Sequence, residues 1–359
     1  TRYVSLSGQH IPPFTNWTTA ATNVQAAINA ALPDELILVT NGLYALTNEL
    51  RITNRIWVKS VNGPDHTILD AQQFNRCVYL SGSGAVLDGF SLINGKITNY
   101  LQGASLDDCG GGAYCTSNSR IRNCIVMSNS TVNAGGGICL ANAKAECCRV
   151  AGNQSVKGGG GIFINGGLIE NCVSDHNISG EGGGGIHCDT WLGSIQVQGC
   201  TIINNRTTMA DPIAPGGLSY NNPTFAPLDI FECLVVDNSR ASGAIRDFTD
   251  GIGNIWIAHC CMSVIPPGGS NNISANPMFT DADHGDYRLN YGSPCIDAGR
   301  VITTLTQDLD GSLRPTDGNQ DGVAAADIGA YEFARFTLIS PTESLLHDAQ
   351  RVEWDASMT

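Results

Sequence analysis

Lysine is scarce in this sequence, and the net charge is strongly negative. Only Lys59, Lys96, Lys144 and Lys157 occur among 359 residues, and 33 aspartates and glutamates bring the formal charge at pH 7 to −14. Nucleic acids and anionic membranes attract proteins through clustered basic residues, so the sequence disfavours both as partners. The same charge weighs against a polyuronate substrate unless arginines gather locally.

Several other features are missing. The chain has no run of about 18 apolar residues, the length that spans a bilayer as a helix. Its first residues lack the basic, apolar and cleavage-site order of a signal peptide, so we expect Thr1 to be a mature N-terminus. Paired Cys-x-x-Cys, HExxH, GxSxG and Walker motifs are also absent, which disfavours zinc sites, serine hydrolases, zincins and P-loop enzymes.

Glycine, cysteine and asparagine, in contrast, recur at a regular spacing. Glycines precede short apolar segments at Gly112, Gly137, Gly161, Gly185, Gly217 and Gly243. Cysteines recur in the same phase at Cys124, Cys148, Cys172, Cys200, Cys233 and Cys260. Five residues after the first five of these stand Asn129, Asn153, Asn177, Asn205 and Asn238. A period of about 24 residues carrying three such columns indicates a stacked solenoid.

The repeated segments have the pattern of strands. Their apolar residues alternate in steps of two, and their glycine triplets would destabilise a helix. We therefore predict an all-β fold, a right-handed parallel β-helix, with the hand taken from the usual crossover preference. Three residues before each cysteine stand the members of a further apolar column, Ile121, Ala145, Ile169, Val197, Ile230 and Ile257. Most cysteines are interpreted as small buried hydrophobes, and disulfides, chiefly Cys109 with Cys115, are the alternative.

Four segments are predicted along the chain. Residues 1–35 form an N-terminal cap whose amphipathic helix covers Asn16–Leu32, since a solenoid end needs a cover for its apolar core. Residues 36–276 form the β-helix, interrupted by loops at Arg206–Pro215 and Asn221–Asp229. Residues 277–335 form an acidic cap over the open end. Residues 336–359 begin a following segment or an Ig-like domain.

The residues now support a resemblance. The first helix followed by ILVTNGLY, together with the alternation of GGGI and NCxxxxN, resembles secreted bacterial β-helix proteins of the pectin-lyase-like type. SPCIDAG, DLDGSLRP and DIGAYEF are similar to the C-terminal part of the "choice-of-anchor" β-helix proteins. The resemblance implies this fold and a secreted or cell-surface location in a bacterium. It implies no single activity, because such proteins include lyases, hydrolases, epimerases and adhesins.

A calcium loop is the best chemical motif. Oxygen ligands at alternating positions before a glycine match the first half of such a loop, with the set Asp317, Asn319, Asp321, Val323 and Asp327. Asp308 and Asp310 are further candidates. A solvated acidic turn is the alternative, because the acidic residue expected at position 12 of an EF-hand loop is replaced by Ile328. A bound calcium ion would be structural.

Catalytic residues do not form a recognised motif. Asp175, Glu181 and Asp189 are carboxylates available for glycoside hydrolysis. The basic groups near the long loops are His176, His187, Arg206 and Arg240. If the protein is an enzyme, the candidate catalytic set is Asp175, His187, Asp189, Arg206, Asp211 and Arg240. The alternative for each histidine is a solvated surface residue.

A sugar-binding rim is the milder interpretation. Its members would be His187, Asp189, Trp191 and Tyr220, because aromatic rings stack on the apolar faces of sugars. Alternatively, Trp191 packs under its own loop, and Tyr220 points inward with its column.

The leading functional hypothesis is a secreted, non-enzymatic surface or matrix protein. Such a protein would be an adhesive or self-assembling rod whose partners are extracellular polysaccharides or its own copies, and calcium is the only cofactor expected. The rival is a polysaccharide lyase or glycoside hydrolase acting in a groove beside the loops at 189–228.

Overall fold

The computed structural model describes residues 1–99, 108–211, 213–221, 226–249, 254–266, 269–301 and 305–333. One α-helix, α1, covers Val24–Ala30, and a 3-10 helix covers Ala282–His284. The first strands are β1 Arg2–Val4, β2 Leu36–Val39, β3 Gly42–Ala45, β4 Leu50–Ile52, β5 Trp57–Ser60, β6 Thr67–Asp70, β7 Val78–Leu80, β8 Val86–Asp88, β9 Ser91–Ile93 and β10 Lys96–Ile97. The regular repeats contain β11 Ala113–Thr116, β12 Arg120–Arg122, β13 Ile125–Met127, β14 Ser130–Thr131, β15 Ile138–Glu146, β16 Arg149–Ala151, β17 Gln154–Ser155, β18 Ile162–Glu170, β19 Val173–Asp175, β20 Ile178–Ser179 and β21 Ile186–Asp189. The remaining strands are β22 Ile195–Gln198, β23 Thr201–Ile203, β24 Arg206–Thr207, β25 Leu218–Asn221, β26 Leu228–Phe231, β27 Leu234–Val236, β28 Ile255–Ala258, β29 Cys261–Met262, β30 Phe279–Asp281 and β31 Asp286–Leu289.

Three parallel sheets run along the solenoid. Sheet 1 follows the order β1-β2-β5-β8-β12-β15-β18-β22-β26-β28, with β4, β7, β11, β21 and β25 alongside. Sheet 2 follows β29-β27-β23-β19-β16-β13-β9-β6-β3, and sheet 3 follows β10-β14-β17-β20-β24. Each coil supplies strands to the sheets in turn, so like residues stack. The predicted right-handed parallel β-helix is confirmed.

The predicted columns stack in register inside the solenoid. Ile121 pairs with Ala145, Ala145 with Ile169 and Ile169 with Val197, and all four are buried. Burial of such columns removes apolar surface from water along the whole helix axis. The repeat therefore supplies the core.

The asparagine column forms a hydrogen-bonded ladder. Asn153 donates its backbone N–H to Asn177 Oδ1 at 2.9 Å, and Asn177 donates in the same way to Asn205 at 2.9 Å. Asn205 continues to Asn238 at 3.0 Å, where Asp247 Oδ1 accepts the last N–H at 2.9 Å. The ladder thus satisfies buried polar groups at the bend that every coil repeats.

The fourteen cysteines, all within the described residues, carry no disulfide bond in this structure. The cysteine column is buried, as the interpretation of its members as small hydrophobes requires. The suggested pair of Cys109 with Cys115 is wrong, because Cys109 lies instead in hydrogen-bond contact with Cys139. Side chains alternate between the two faces of a strand. Cys115 faces inward from sheet 1, whereas Cys139 belongs to the neighbouring outward column, which Cys109 contacts.

The N-terminal helix is shorter than predicted. It begins at the N-cap Asn23, whose side chain accepts from the Ala26 N–H, and not at Asn16. The threonine-rich segment before it has low helix propensity and lies along β1 instead, where Tyr3 donates to Phe14 and Ser5 to Ala21, both at 2.9 Å. This edge of the first coil is therefore covered by backbone. In the described residues no helix is long and apolar enough to cross a membrane.

The acidic segment lies along the outer face of sheet 2, and the expectation that it closes the open end is wrong. Its apolar residues Tyr287, Leu289, Cys295, Ile328 and Ala330 pack on the outward residues Val173, Ile203, Leu234, Val236 and Cys261. An apolar outer face needs a cover, which explains the location. The predicted start of an Ig-like domain, 336–359, falls outside the described residues.

Candidate functional site

The outer face of sheet 1 carries two columns of mainly polar side chains. Side chains alternate along a strand, so the residues on either side of the inward column face solvent. The first outward column contains Arg120, Lys144, Leu168, Gln196, Asp229 and Trp256. The second contains Arg122, Glu146, Glu170, Gln198 and Phe231. This face presents basic, acidic, amide and aromatic groups in regular rows.

A loop beside this face forms the wall of a groove. Residues 190–194 connect β21 to β22, and the Leu192 N–H donates to Asn165 Oδ1 at 2.7 Å. Next to Leu192, the Trp191 side chain is 63% exposed. The open groove, of about 560 Å³, is lined chiefly by Asn118, Asn142, Lys144, Gln196, Asp229 and Leu192. We call this the outer groove.

The charges near the outer groove are mixed and partly paired. Arg120 and Glu146 form an ion pair at 3.3 Å, and Gln198 donates to Glu170 at 2.8 Å. Burial raises the pKa of Glu170 and of Asp229 above the usual range for carboxyl groups. The face therefore offers hydrogen-bond donors and acceptors of both signs, as recognition of hydroxyl groups requires.

The four residues predicted to form a sugar-binding rim fall in different environments. Trp191 is exposed, and the alternative that it packs under its own loop is wrong. Tyr220 is in register with Cys188, faces inward and is buried, with its hydroxyl donating to the Ala226 carbonyl at 3.1 Å. Tyr220 therefore contributes nothing to an outer surface.

His187 and Asp189 lie on β21 at the side of the same loop. The imidazole of His187 stacks on Phe163 with ring centroids 5.6 Å apart, and its Nδ1 lies 2.6 Å from Ser219 Oγ. Burial lowers the pKa of His187 to about 4, so the ring is neutral at pH 7. Burial also raises the pKa of Asp189.

The structure does not bring the six candidate catalytic residues together. Asp175 lies on sheet 2, buried beneath the acidic segment, where Arg149 donates to it at 3.0 Å and the Tyr287 hydroxyl at 3.2 Å. His187 and Asp189 lie on sheet 1, and Arg206 lies on sheet 3. The role of Asp175 is therefore structural, as the partner of Arg149 in an ion pair.

The other candidates lie at the corner where sheet 3 ends. Arg206 forms a bridge with Ser239, which directly precedes Arg240. Asp211 accepts the Ile213 N–H at 2.9 Å within its own loop. Of the remaining charged candidates, His176 is exposed, and Glu181 pairs with Lys157 at 2.5 Å. None of these contacts joins the outer groove.

The acidic loop after Pro315 is folded by its own side chains. Asp317 Oδ2 accepts the Gly322 N–H at 3.0 Å, and Asp321 Oδ1 accepts the Val323 N–H at 2.8 Å. Asp297 joins them by accepting the Asn319 N–H at 2.7 Å. In the described residues no three His, Cys, Asp or Glu side chains are grouped as a metal site. Calcium binding would therefore rest on Asp317, Asp321, the amide of Asn319 and the Val323 carbonyl, all oxygen ligands of the type that calcium takes.

Asp327 does not fit that set. It is buried, and its carboxylate accepts the Asp297 N–H at 2.8 Å and the Phe333 N–H. Burial, with Glu332 nearby, raises the pKa of Asp327 to about 8. The carboxyl group is thus protonated in a large fraction of molecules at pH 7, and it connects backbone segments within the acidic segment.

Sequence reasoning missed most of the groove residues. Lys144, Gln196 and Asp229 each stand immediately before a member of the inward apolar column, so strand alternation identifies them as outward-facing. Asn118 stands at the turn between β11 and β12, and Asn142 lies within β15 with a left-handed backbone. Neither belongs to one of the columns that the sequence predicted.

The chain matches no protein-family model and no curated protein. Among solved structures, a pectate lyase, Pel9A, superposes with a TM-score of 0.54 at 14% identity, over 93% of this chain and 97% of that one. A pectin methylesterase, PemA from Erwinia chrysanthemi, aligns with a TM-score of 0.45 at 12% identity, over 81% and 98% of the two chains. At these identities the likeness to the pectate lyase shows the fold alone.

Proposed function

We propose that this protein is a non-enzymatic, polysaccharide-binding β-helix that acts outside a bacterial cell. The observation that supports it is the exposed Trp191 beside a groove lined by amide, lysine and carboxylate side chains. Trp191 directly precedes Leu192, which lines the groove. An exposed aromatic ring close to such a groove suits a sugar, which offers an apolar face and a rim of hydroxyls. The secreted location rests on the resemblance of the repeats to bacterial surface proteins.

Binding to polysaccharide is favoured over end-to-end assembly of copies. Unpaired strand edges are what a second solenoid would extend. At the first coil, β1 is bonded on its free edge by Phe14 and Ala21. At the last coil, Ser270 and Ile273 form parallel bridges with Ala258 and Cys261. Backbone of this chain thus covers the edge of sheet 1 at the first coil and the edges of sheets 1 and 2 at the last coil.

A lyase or glycoside hydrolase acting in the outer groove is the second candidate. Glu170 and Asp229 both project from the outer face of sheet 1, two coils apart. Burial raises the pKa of each, and a carboxyl group with a raised pKa is suited to act as a general acid. The release of reducing ends or unsaturated products by the wild-type protein would select this candidate.

Replacing Trp191 with alanine is expected to weaken polysaccharide binding about tenfold, the effect of losing one ring that stacks on a sugar. The measurement is affinity gel electrophoresis or calorimetry with a panel of plant, algal and bacterial polysaccharides. Phe74→Ala is a matched control, because Phe74 is an exposed aromatic residue, 71% accessible, on a turn after β6.

Two results would overturn the proposal. Wild-type protein that binds no polysaccharide of the panel would remove its basis. Equal affinities of the Trp191→Ala and Phe74→Ala variants would show that the outer groove is not the site.

We also propose a structural calcium ion at Asp317, Asn319, Asp321 and Val323. Calcium is expected to raise the melting temperature of the wild-type protein by a few degrees, since a ligand that binds only the folded state stabilises it. Asp317→Asn should abolish the shift, while Asp283→Asn, at an exposed site in the 3-10 helix, should keep it. Calcium titration with calorimetry gives the affinity directly. Identical melting curves with calcium and with chelator would refute the site.

A further inference from the structure

Two buried cysteines from different parts of the chain meet beneath the acidic segment. Cys261 lies on β29, in register with Leu234, and Cys295 lies in the acidic segment. Both side chains are fully buried in one apolar cluster, and the two thiols are in hydrogen-bond contact. We propose that Cys261 and Cys295 form a disulfide that fastens the acidic segment to the last coil of the β-helix.

The backbone on both sides of this pair is held by hydrogen bonds. Cys261 donates its N–H to the Cys233 carbonyl at 3.0 Å. On the other side, Cys295 accepts from the Ile328 N–H at 3.0 Å, and its own N–H donates to Ser293 Oγ at 3.2 Å. Ser293 in turn donates to the Pro277 carbonyl at 2.6 Å. The two thiols are thus held in contact by segments whose backbone is fixed by hydrogen bonds.

The stacked cysteines of the solenoid differ from this pair. Neighbours in the column lie on successive coils, between the strands of sheet 1 and sheet 2. Successive coils are about 4.8 Å apart, whereas bridged cysteines need β-carbons within about 4.5 Å. The column thiols donate to backbone carbonyls, as Cys172 does to Glu170 at 3.3 Å and Cys200 to Gln198 at 3.2 Å. Cys261 does the same to Ala275 at 3.3 Å, so coil spacing is what separates the column from the pair. The spacing of the coils therefore keeps the cysteines of the column as thiols.

Thiol acidity supports the same distinction. Burial raises the pKa of Cys172 and of Cys200 well above the usual value. The hydrogen bond from Cys295 lowers the pKa of Cys261. The thiolate is the form that attacks disulfides, so Cys261 is the better nucleophile.

The bond forms by thiol–disulfide exchange with a small disulfide such as oxidised glutathione. The Cys261 thiolate attacks one sulfur of the oxidant, and one glutathione thiolate leaves with a proton from solvent. The Cys295 thiol then loses its proton and attacks the Cys261 sulfur of the mixed disulfide, which releases the second glutathione. Two protein thiols are oxidised and one small disulfide is reduced. Because both sulfurs are buried afterwards, exchange takes place while the acidic segment docks.

Refolding in a glutathione redox buffer tests the proposal. After thiols are blocked and the protein is digested, mass spectrometry should find the peptides of Cys261 and Cys295 joined, with the loss of two hydrogen atoms. Cys295→Ser should lack this product. Cys147→Ser, which alters a half-buried cysteine on another coil, should retain it. Unlinked Cys261 and Cys295 in the oxidised wild-type protein would overturn the proposal.

A second measurement needs no variant. In the oxidised wild-type protein, proteolysis of the acidic segment should be about tenfold slower than in the protein treated with reductant, because a cross-link limits opening of the segment. Equal rates would contradict the role of the bond as a fastener, even if some cross-linked peptide were found. Neither readout depends on polysaccharide binding.

Discussion

Replacing Asn177 with alanine is expected to lower the free energy of unfolding by about 4 kcal/mol, because several buried polar groups lose their partners at once. The Asn177 amide donates to the Val150 carbonyl at 2.8 Å and to Asn205 Oδ1 at 3.0 Å. Its oxygen accepts from the backbone and side chain of Asn153 at 2.9 and 3.0 Å. Alanine removes all four of these hydrogen bonds from a buried site.

Urea unfolding followed by circular dichroism measures this effect. Asn54→Ala is the matched control, since Asn54 is an exposed asparagine on an early turn, and its change should stay within about 0.5 kcal/mol. A loss of less than about 1 kcal/mol in Asn177→Ala would show that the ladder can be broken at one coil without cost.

Arg314→Met is expected to detach the acidic segment from sheet 2. The fully buried guanidinium forms ion pairs with Glu332 at 3.1 Å and with Glu232 at 3.8 Å. It also donates to the carbonyls of Gly329 at 2.9 Å and Asp327 at 2.6 Å. Methionine retains much of the volume but leaves two buried carboxylates with one cationic partner fewer, a loss of about 3 to 5 kcal/mol.

The expected readout is local. Hydrogen exchange should become faster across residues 277–333 of Arg314→Met, while the strands of sheet 1 keep their protection. Arg55→Met is the control, because Arg55 pairs with Asp34 where both side chains are 62% exposed. Unchanged exchange in the acidic segment, or equal loosening of all three sheets, would contradict this assignment of Arg314.

The repetitive part of the fold was predictable from sequence for a physical reason. In a solenoid each column residue meets its own counterpart on the next coil, so periodicity alone gives both neighbours and burial. Asn129 to Asn238 and Ile121 to Ile257 are therefore placed correctly without any knowledge of the loops between them.

Segments outside the repeat carried no such information. The acidic segment is held by single, non-repeated contacts, such as Arg300 with Glu232 at 2.7 Å across 68 residues of sequence. The start of α1 also depended on tertiary pairing, because Phe14 and Ala21 are used by β1. The prediction from apolar spacing began the helix at Asn16 and so included Ala21, whose carbonyl accepts from β1 instead.

The candidate site was predictable only in part. Trp191 stands in the interrupted region that the sequence marked as functional, and it is exposed there. The candidate catalytic residues, such as Asp175, follow from the sequence only through the chemistry of their side chains. The groups that bind Asp175 in the structure, Arg149 and Tyr287, lie far from it in sequence. Unless its binding partners are known, the type of a charged residue does not show whether it forms a structural ion pair or acts in catalysis.

The asparagine ladder also makes the molecule tolerant of insertions. Successive ladder residues are 24, 24, 28 and 33 positions apart, yet the N–H to Oδ1 distances stay between 2.9 and 3.0 Å. Extra residues therefore leave the coil at a loop and return to the same stacking position. Such a scaffold can exchange the loop that carries Trp191 for one of another length while its interior spacing is kept. The sequence of the loop and the stability of the fold are then free to evolve separately.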